Sequence, residues 1–318
     1  MTTLNESLLL DYVTLDVFTR DIFAGNPLAV VKVPKTVTLR QDQKQVIARE
    51  FNYSETVFLH EQKDGEPHNE WIIDIFLTNA EVPFAGHPTI GTACHILPTL
   101  AIPSRNVSHP QKTIEGSFLT RAGKIGLAYD PDTHVAKALL PHNVHVHKST
   151  YSGDDLSRFQ PTLAREHPTP SHSAVVSIVK GMTFVLVRLG HEHELAAVTT
   201  TSLPVECIRD EEWDEGFVGT YFFVEVDSSD NGTRNLRTRM IEGSLEDPAT
   251  GSAASALAAF LSMKDGKPGD TVKFAITQGV EIGRKSHIGV EVSLAKQGIE
   301  AIRLSGTAVP VMEGKLRV

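Results

Sequence analysis

The strongest constraint in this chain is a phrase that occurs twice. Residues 87 to 93 read HPTIGTA and residues 247 to 253 read DPATGSA, an interval close to half of the 318 residues. A second echo, GNPLAVV at 25 to 31 against GMTFVLV at 181 to 187, falls at nearly the same interval. Echoes of this kind predict two halves built on one plan, divided into 1–145 and 146–318. Each phrase also reads as a helix start, with a polar N-cap, Pro at the first helical position and small residues behind it. His87 and Asp247 are therefore the expected N-caps. If the halves face each other, two positive helix ends with free N–H groups converge on one cleft, which suits a small carboxylate.

Composition excludes several function classes. With 41% apolar residues over this length the chain can bury a sizeable core in two domains. Its longest apolar stretch, AASALAAFLS at 253 to 262, is well short of the roughly 18 residues a membrane span needs, so no membrane partner is expected. MTTLNESLLLDY lacks the basic start of a secretory signal. A formal charge of −9 argues against nucleic acid, whose phosphates need clustered Lys and Arg. Two cysteines, Cys94 and Cys207, make no disulfide framework and point to a reducing, cytoplasmic setting.

The periodicity predicts an α+β chain. In YVTLDVF, Val13, Leu15 and Val17 alternate with Thr14 and Asp16 as in a strand. FAGNP is a turn, LAVVKV a strand, and 39 to 51 a helix with Leu39, Val46, Ile47 and Phe51 on its apolar face. NYSETVFLH and WIIDIFL read as strands, and the HPTIGTA helix should run to about Leu97, before Pro98. Three strand-like runs fill about 112 to 141, and 142 to 172, without a sustained period, reads as a crossover. Further strands are expected at 174 to 179, 183 to 188, 219 to 226 and 234 to 241. The DPATGSA helix follows to about Met263, then strands at 271 to 277, 288 to 294 and 300 to 304. Each half becomes a mostly antiparallel sheet around one helix rich in small residues.

Among chemistry-bearing residues, Glu55 shares a strand face with Tyr53, Val57 and Leu59 in this reading. Partial burial there would raise its pKa towards a value useful for proton transfer. A solvent-facing glutamate on an edge strand fits the same residues. For His87 and Asp247, capping alone is a sufficient role, and Asn26 can simply hold its own turn. In PHNVHVH, His145 and His147 place two imidazoles on one strand face, with His142 nearby. No neighbouring carboxylate or Cys completes a ligand set, so no metal is expected. GSLEDPATGSA lacks the Lys and the spacing of a phosphate loop, which argues against ATP or NAD.

Five phrases taken in order, FAGNPLAVV (23 to 31), NYSETVFL (52 to 59), AGHPTIGTA (85 to 93), EDPATGSAA (246 to 254) and QGVEIGR (278 to 284), resemble the PhzF-like isomerase family, of the diaminopimelate-epimerase fold. The resemblance implies two pseudo-symmetric barrel-like halves with a site between them, no cofactor, and a homodimer. It implies catalytic roles for Glu55, His87 and Asp247, and substrate contacts for Gly86, Gly251, Ser252 and, more weakly, Asn26. Met240 departs from the pattern, where an aromatic is more usual, as does Lys285, where Pro is common. Epimerases of this fold use one thiol from each half; here Ala85 precedes Gly86 and the second phrase has no Cys, so both cysteines read as packing residues. The expected function is cofactor-independent isomerisation of a small carboxylate-bearing metabolite, with epimerisation or non-catalytic binding as alternatives.

Overall fold

The computed structural model describes residues 8–100, 113–168, 170–203, 205–226 and 232–318. Residues 1–7, which carry most of the segment read for a secretory signal, lie outside that set, as does residue 112. Contacts divide the chain into two compact units. Among the described residues, unit 1 holds 8–23, 27–100, 113–138 and 306–318, and unit 2 holds 24–26 and the described part of 139–305. The single boundary expected near 145 thus differs from the observed division: the last strand returns to unit 1, and the GNP turn contributes three residues to unit 2.

Unit 1 runs β1 (Leu9–Val17), β2 (Asn26–Val33), α1 (Gln41–Phe51), β3 (Thr56–His60), β4 (Glu70–Phe76), β5 (Glu81–Val82), α2 (Gly86–Ile96), β6 (Ile114–Thr120), β7 (Gly123–Asp130) and β8 (Val135–Leu139). β2 and β3 are parallel, with α1 as their crossover, and β4 and β6 are parallel, with α2 as theirs. The pairs β3–β4, β6–β7 and β7–β8 are antiparallel. α2 is buried from Gly86 through Ala93 and packs against β1, β3 and β7. Its small residues permit this. A Cβ added at Gly91 would lie 2.6 Å from Val17 Cγ2 and 2.7 Å from Leu28 Cδ2. The tight packing also buries Thr14 and Asp16, expected on a polar face of β1; Thr14 Oγ1 accepts from Met312 N–H and Asp16 Oδ2 from Phe23 N–H. From α1, Ile47 and Ala48, with Leu39 just ahead of the helix, join Val31, Phe58 and Phe76 in a core cluster, whereas Val46 is exposed.

Unit 2 repeats the connectivity. It runs β9 (His145–Ser152), α3 (Gly153–Phe159), α4 (Pro161–Glu166), β10 (His172–Val179), β11 (Met182–Arg188), α5 (Glu192–Leu195), β12 (Phe217–Val226), β13 (Arg234–Glu242), β14 (Leu245–Asp247), α6 (Gly251–Asp265), β15 (Thr271–Gln278), β16 (Ser286–Leu294) and β17 (Ile299–Gly306). Here β11 and β12 are parallel around α5, β13 and β15 parallel around α6, and the remaining neighbours antiparallel. α6, buried over most of its length, packs against β10, β11, β15 and β16. The final strand, β18 (Ala308–Arg317), pairs antiparallel with β1 of unit 1, as β9 pairs with β10 in unit 2. The architecture is α+β, as the patterning predicts.

The 142 to 172 segment is more ordered than its composition suggests. It holds β9 and two short helices, because Ser152 caps α3 by accepting from Asp155 N–H, and Pro161 occupies the first turn of α4. α2 ends at Ile96 as expected, but a 3₁₀ turn over 97–100 carries Pro98 within it. Among the described residues no helix is long and apolar enough to cross a membrane.

Candidate active site

Glu55 does not lie on a strand, contrary to the face-sharing expected with Tyr53, Val57 and Leu59. Helix α1 ends at Asn52, whose φ of 54° is left-handed and whose N–H bonds Ala48 O. The chain then turns through Tyr53 and Ser54, and Glu55 is the last residue before β3. β3 sits between β2 and β4, with Thr56 to Leu59 all buried, so the residue feeding it is drawn out of water. The Glu55 side chain is 15% exposed. Burial pushes its carboxyl up to about 7, against a smaller opposing pull from the Ser54 hydroxyl that hydrogen-bonds it. Glu55 Oε2 accepts no hydrogen bond from any described residue, and His87 Nδ1 lies 3.4 Å from it.

His87 is not the N-cap of its helix. Ala85 holds the extended N-cap position, Gly86 is the first helical residue, and His87 is the second, with its side chain 4% exposed. Pro88 costs the helix no hydrogen bond there, since the first four N–H groups have no partner within a helix. Placing His87 inside the first turn points its ring at Glu55 instead of leaving it to cap. Gly86, buried at the helix start, adjoins this pair in sequence.

Asp247 is not a cap either. It ends β14, directly opposite Met240 in the β13–β14 register, and α6 begins four residues later with Thr250 as its N-cap. Two causes act together. The residue before a proline is disfavoured in helical conformation, which keeps Asp247 extended before Pro248. Its carboxylate is also held elsewhere: Asn26 Nδ2 donates to Oδ1 at 2.8 Å and Thr250 Oγ1 donates to Oδ2 at 2.5 Å. Asn26, fully buried, gives a second hydrogen bond to Ala249 O at 3.0 Å, so its amide serves unit 2 beyond its own turn. The adjacent Glu246 is neutralised in a buried pair with Arg239, which also donates to the carbonyls of Leu195 and Val198. Gly251 and Ser252 are the first two residues of α6.

Two groups of predicted residues therefore emerge: Glu55, His87 and Gly86 in unit 1, and Asn26, Asp247, Gly251 and Ser252 in unit 2. Residues missed by sequence reasoning surround the second group, namely Thr250, Gln278, Arg284 and Ser286. Two of the matched phrases, EDPATGSAA and QGVEIGR, already contained the first three. Lys285 contributes its backbone carbonyl to Gly25 N–H, a role its departure from Pro leaves intact.

The cysteines fit packing roles. Burial pushes the Cys94 thiol up to about 12 and raises that of Cys207, so neither supplies a thiolate near neutrality. The histidine pair needs a correction. Asp210, distant in sequence, does bring a carboxylate to His145 and His147, which a local reading could not see. The set is internally satisfied: His145 Nε2 meets Asp210 Oδ2 at 2.7 Å, His147 Nδ1 accepts from Asp210 N–H, and His147 Nε2 meets Ser177 Oγ at 2.9 Å. Trp213 stacks on His145 at 4.5 Å, and His147 is buried. These imidazoles knit β9 to the segment before β12.

The family model described as phenazine biosynthesis-like protein, PhzC-PhzF, matches residues 15–314. A protein named trans-2,3-dihydro-3-hydroxyanthranilate isomerase from Pseudomonas aeruginosa is 29% identical over 312 residues, covering 96% of this chain and 98% of its own. A Mesorhizobium japonicum protein named as an uncharacterized isomerase is likewise 29% identical over 314 residues, covering 96% and 98%. In fold, the chain is similar to a PhzF-family protein of Bacillus anthracis, with a TM-score of 0.73, 18% identity and coverage of 98% and 100%. It is also similar to a hydroxyproline epimerase from Agrobacterium vitis, with a TM-score of 0.61, 13% identity and coverage of 98% and 93%.

Proposed function

The chain belongs to the PhzC-PhzF family of phenazine biosynthesis-like proteins and is an isomerase, and from that premise we propose that Glu55 relocates a proton between carbons of a small carboxylate-bearing metabolite without a cofactor. The observation that carries this reading is the Glu55 carboxyl itself. Buried, lifted to about 7, and with Oε2 accepting no hydrogen bond from a described residue, it can take a proton and give it back near neutral pH. General acid/base catalysis of this kind contributes roughly 10² to 10⁴ in rate. His87, 3.4 Å from Glu55, and Asp247, held by Asn26 and Thr250, complete the acid/base set. Gly86, Gly251 and Ser252 serve as contacts for the substrate carboxylate, where small side chains permit close approach. The high position of both thiols supports one carboxylate base over a pair of thiols. A homodimer in the cytoplasm belongs to the same reading.

The test is proton exchange followed by NMR in deuterated water. The first probe is trans-2,3-dihydro-3-hydroxyanthranilate, which the Pseudomonas aeruginosa relative is named for, followed by a panel of small cyclic carboxylates. The native protein should move the double bond and exchange one carbon-bound proton, while Glu55→Gln, which keeps size and hydrogen bonding, should do neither. Substrate deuterated at the donor carbon should deliver part of its label to the acceptor carbon. Turnover persisting in Glu55→Gln would remove Glu55 from the role of base.

A further inference from the structure

The QGVEIGR phrase has no part in the acid/base set, yet its residues converge on Asp247. Gln278, fully buried at the end of β15, donates from Nε2 to the backbone O of Asp247 at 2.7 Å and to Thr250 Oγ1 at 3.0 Å. Its Oε1 accepts from Thr250 N–H at 3.2 Å and from the buried Tyr221 hydroxyl at 3.0 Å, which also donates towards Thr238 Oγ1. This pattern fixes the amide's orientation. Reversed, it would set carbonyl oxygen against the Asp247 carbonyl oxygen and the amide NH2 against the Thr250 N–H. Because Thr250 Oγ1 already accepts from Gln278, its single proton goes to Asp247 Oδ2.

Thr250 is the N-cap of α6, a position where a threonine ordinarily bonds the helix's own N–H groups, but its side chain makes no such bond. Its hydroxyl is spent on Asp247. The same turn presses on the strand-to-helix loop from behind: Ser286 Oγ donates to Pro248 O at 2.9 Å, and Gly279, at φ 73°, leaves no room for a Cβ, which would lie 2.7 Å from Pro248 O. Arg284 reaches the turn before β2, donating from Nε to Gly25 O and from Nη2 to Ala24 O, next to Asn26.

We propose that Thr250 and Gln278 are positioning residues: Gln278 sets the direction of the Thr250 hydroxyl, and that hydroxyl, with Asn26, holds the Asp247 carboxylate as an acceptor in one orientation. The inference rests on the reading of Asp247 as part of the acid/base set, and its test needs no substrate. In protein labelled with ¹³C at aspartate side-chain carboxyls, the Asp247 resonance is assigned by its loss in Asp247→Asn and followed against pH. Losing a donor to the ionised form shifts the midpoint upwards, so Thr250→Val and Gln278→Met should each raise it by about half a pH unit or more. Thr250→Ser, which keeps the hydroxyl, should restore the native midpoint. Tyr221→Phe, which removes a hydroxyl that bonds the amide and Thr238 but not the carboxylate, should give a smaller rise in the same direction. Midpoints unchanged in folded Thr250→Val and Gln278→Met would overturn the proposal, because a purely structural role predicts lower melting temperature without a shift. Turnover of Asp247→Asn separates the two claims. If that variant is active while the midpoints move, the positioning stands and the catalytic reading of Asp247 falls; if it is inactive while the midpoints stay, the reverse holds.

Discussion

Glu55 Oε2 and His87 Nδ1 lie 3.4 Å apart, within ion-pair range but beyond a good hydrogen bond. The pair couples the turn after α1 to the first turn of the buried central helix. A carboxyl locked into a short hydrogen bond would have little reason to release its proton to carbon. In the proposed reading it is close enough to be oriented and loose enough to react, and catalytic contacts commonly tighten only when substrate is bound.

Burying Glu55 costs stability, and the sign of the pH dependence follows. Its folded pKa of about 7 lies above the ordinary 4.5, so the folded state holds the proton more tightly than the unfolded one. No penalty exists well below pH 4.5; it grows as pH rises towards 7 and levels off above, reaching about 3 kcal/mol at 1.36 kcal/mol per factor of ten in acidity. Glu55→Gln should therefore match the native protein in urea unfolding at pH 4 and exceed it at pH 8 by up to about 3 kcal/mol. A stability difference that does not vary with pH would show that the carboxyl is not desolvated.

Asn26 supplies donors to two buried acceptors, Asp247 Oδ1 and Ala249 O. Asn26→Leu keeps the branched shape and removes both donors, and a buried polar group left unsatisfied costs about 1–3 kcal/mol. Urea titration should show that loss, with turnover falling alongside it. A variant as stable as the native protein would mean that neither acceptor depends on the amide.

Gly91→Ala tests the close approach of α2 to its strands. The added methyl would meet Val17 and Leu28 inside normal contact distance. Overpacking of this kind costs about 1–3 kcal/mol, outweighing the better helix propensity of Ala. Thermal unfolding should show a lower midpoint.

Cys94 and Cys207 should be spectators. Iodoacetamide at pH 7.5 should leave Cys94 largely unmodified and turnover intact, since its thiol, at about 12, is almost wholly protonated there. Inactivation that tracks labelling of Cys94 would reopen a thiol mechanism.

The duplicated phrases locate both central helices because small residues and Pro leave a local mark in sequence. The exact starts were not legible. At Asp247 the deciding force is an amide 221 residues away, and at His87 it is the packing of a wholly buried helix. Glu55 is buried, as one of its two sequence readings has it, but on no strand, because one left-handed residue, Asn52, ends α1 without altering the apolar pattern that follows. Strands β10 to β13 and β15 to β17 are legible to within a few residues from their apolar runs, whereas the short β14 is not. The Asp210 carboxylate beside His145 and His147 was not, for it joins them only through the folded sheet.

The antiparallel pairing of β1 with β18, running from Leu9 opposite Arg317 to Val17 opposite Ala308, has a consequence for synthesis on the ribosome. β1 precedes 139–305 in the chain and β18 follows it, so β1 is synthesised before that stretch and its partner after it. Until β18 emerges, β1 presents an unpaired edge to any strand nearby. Nascent chains should thus acquire protease resistance in the second half before the first, and a stop codon near 307 should yield an aggregating product rather than a slightly shortened enzyme.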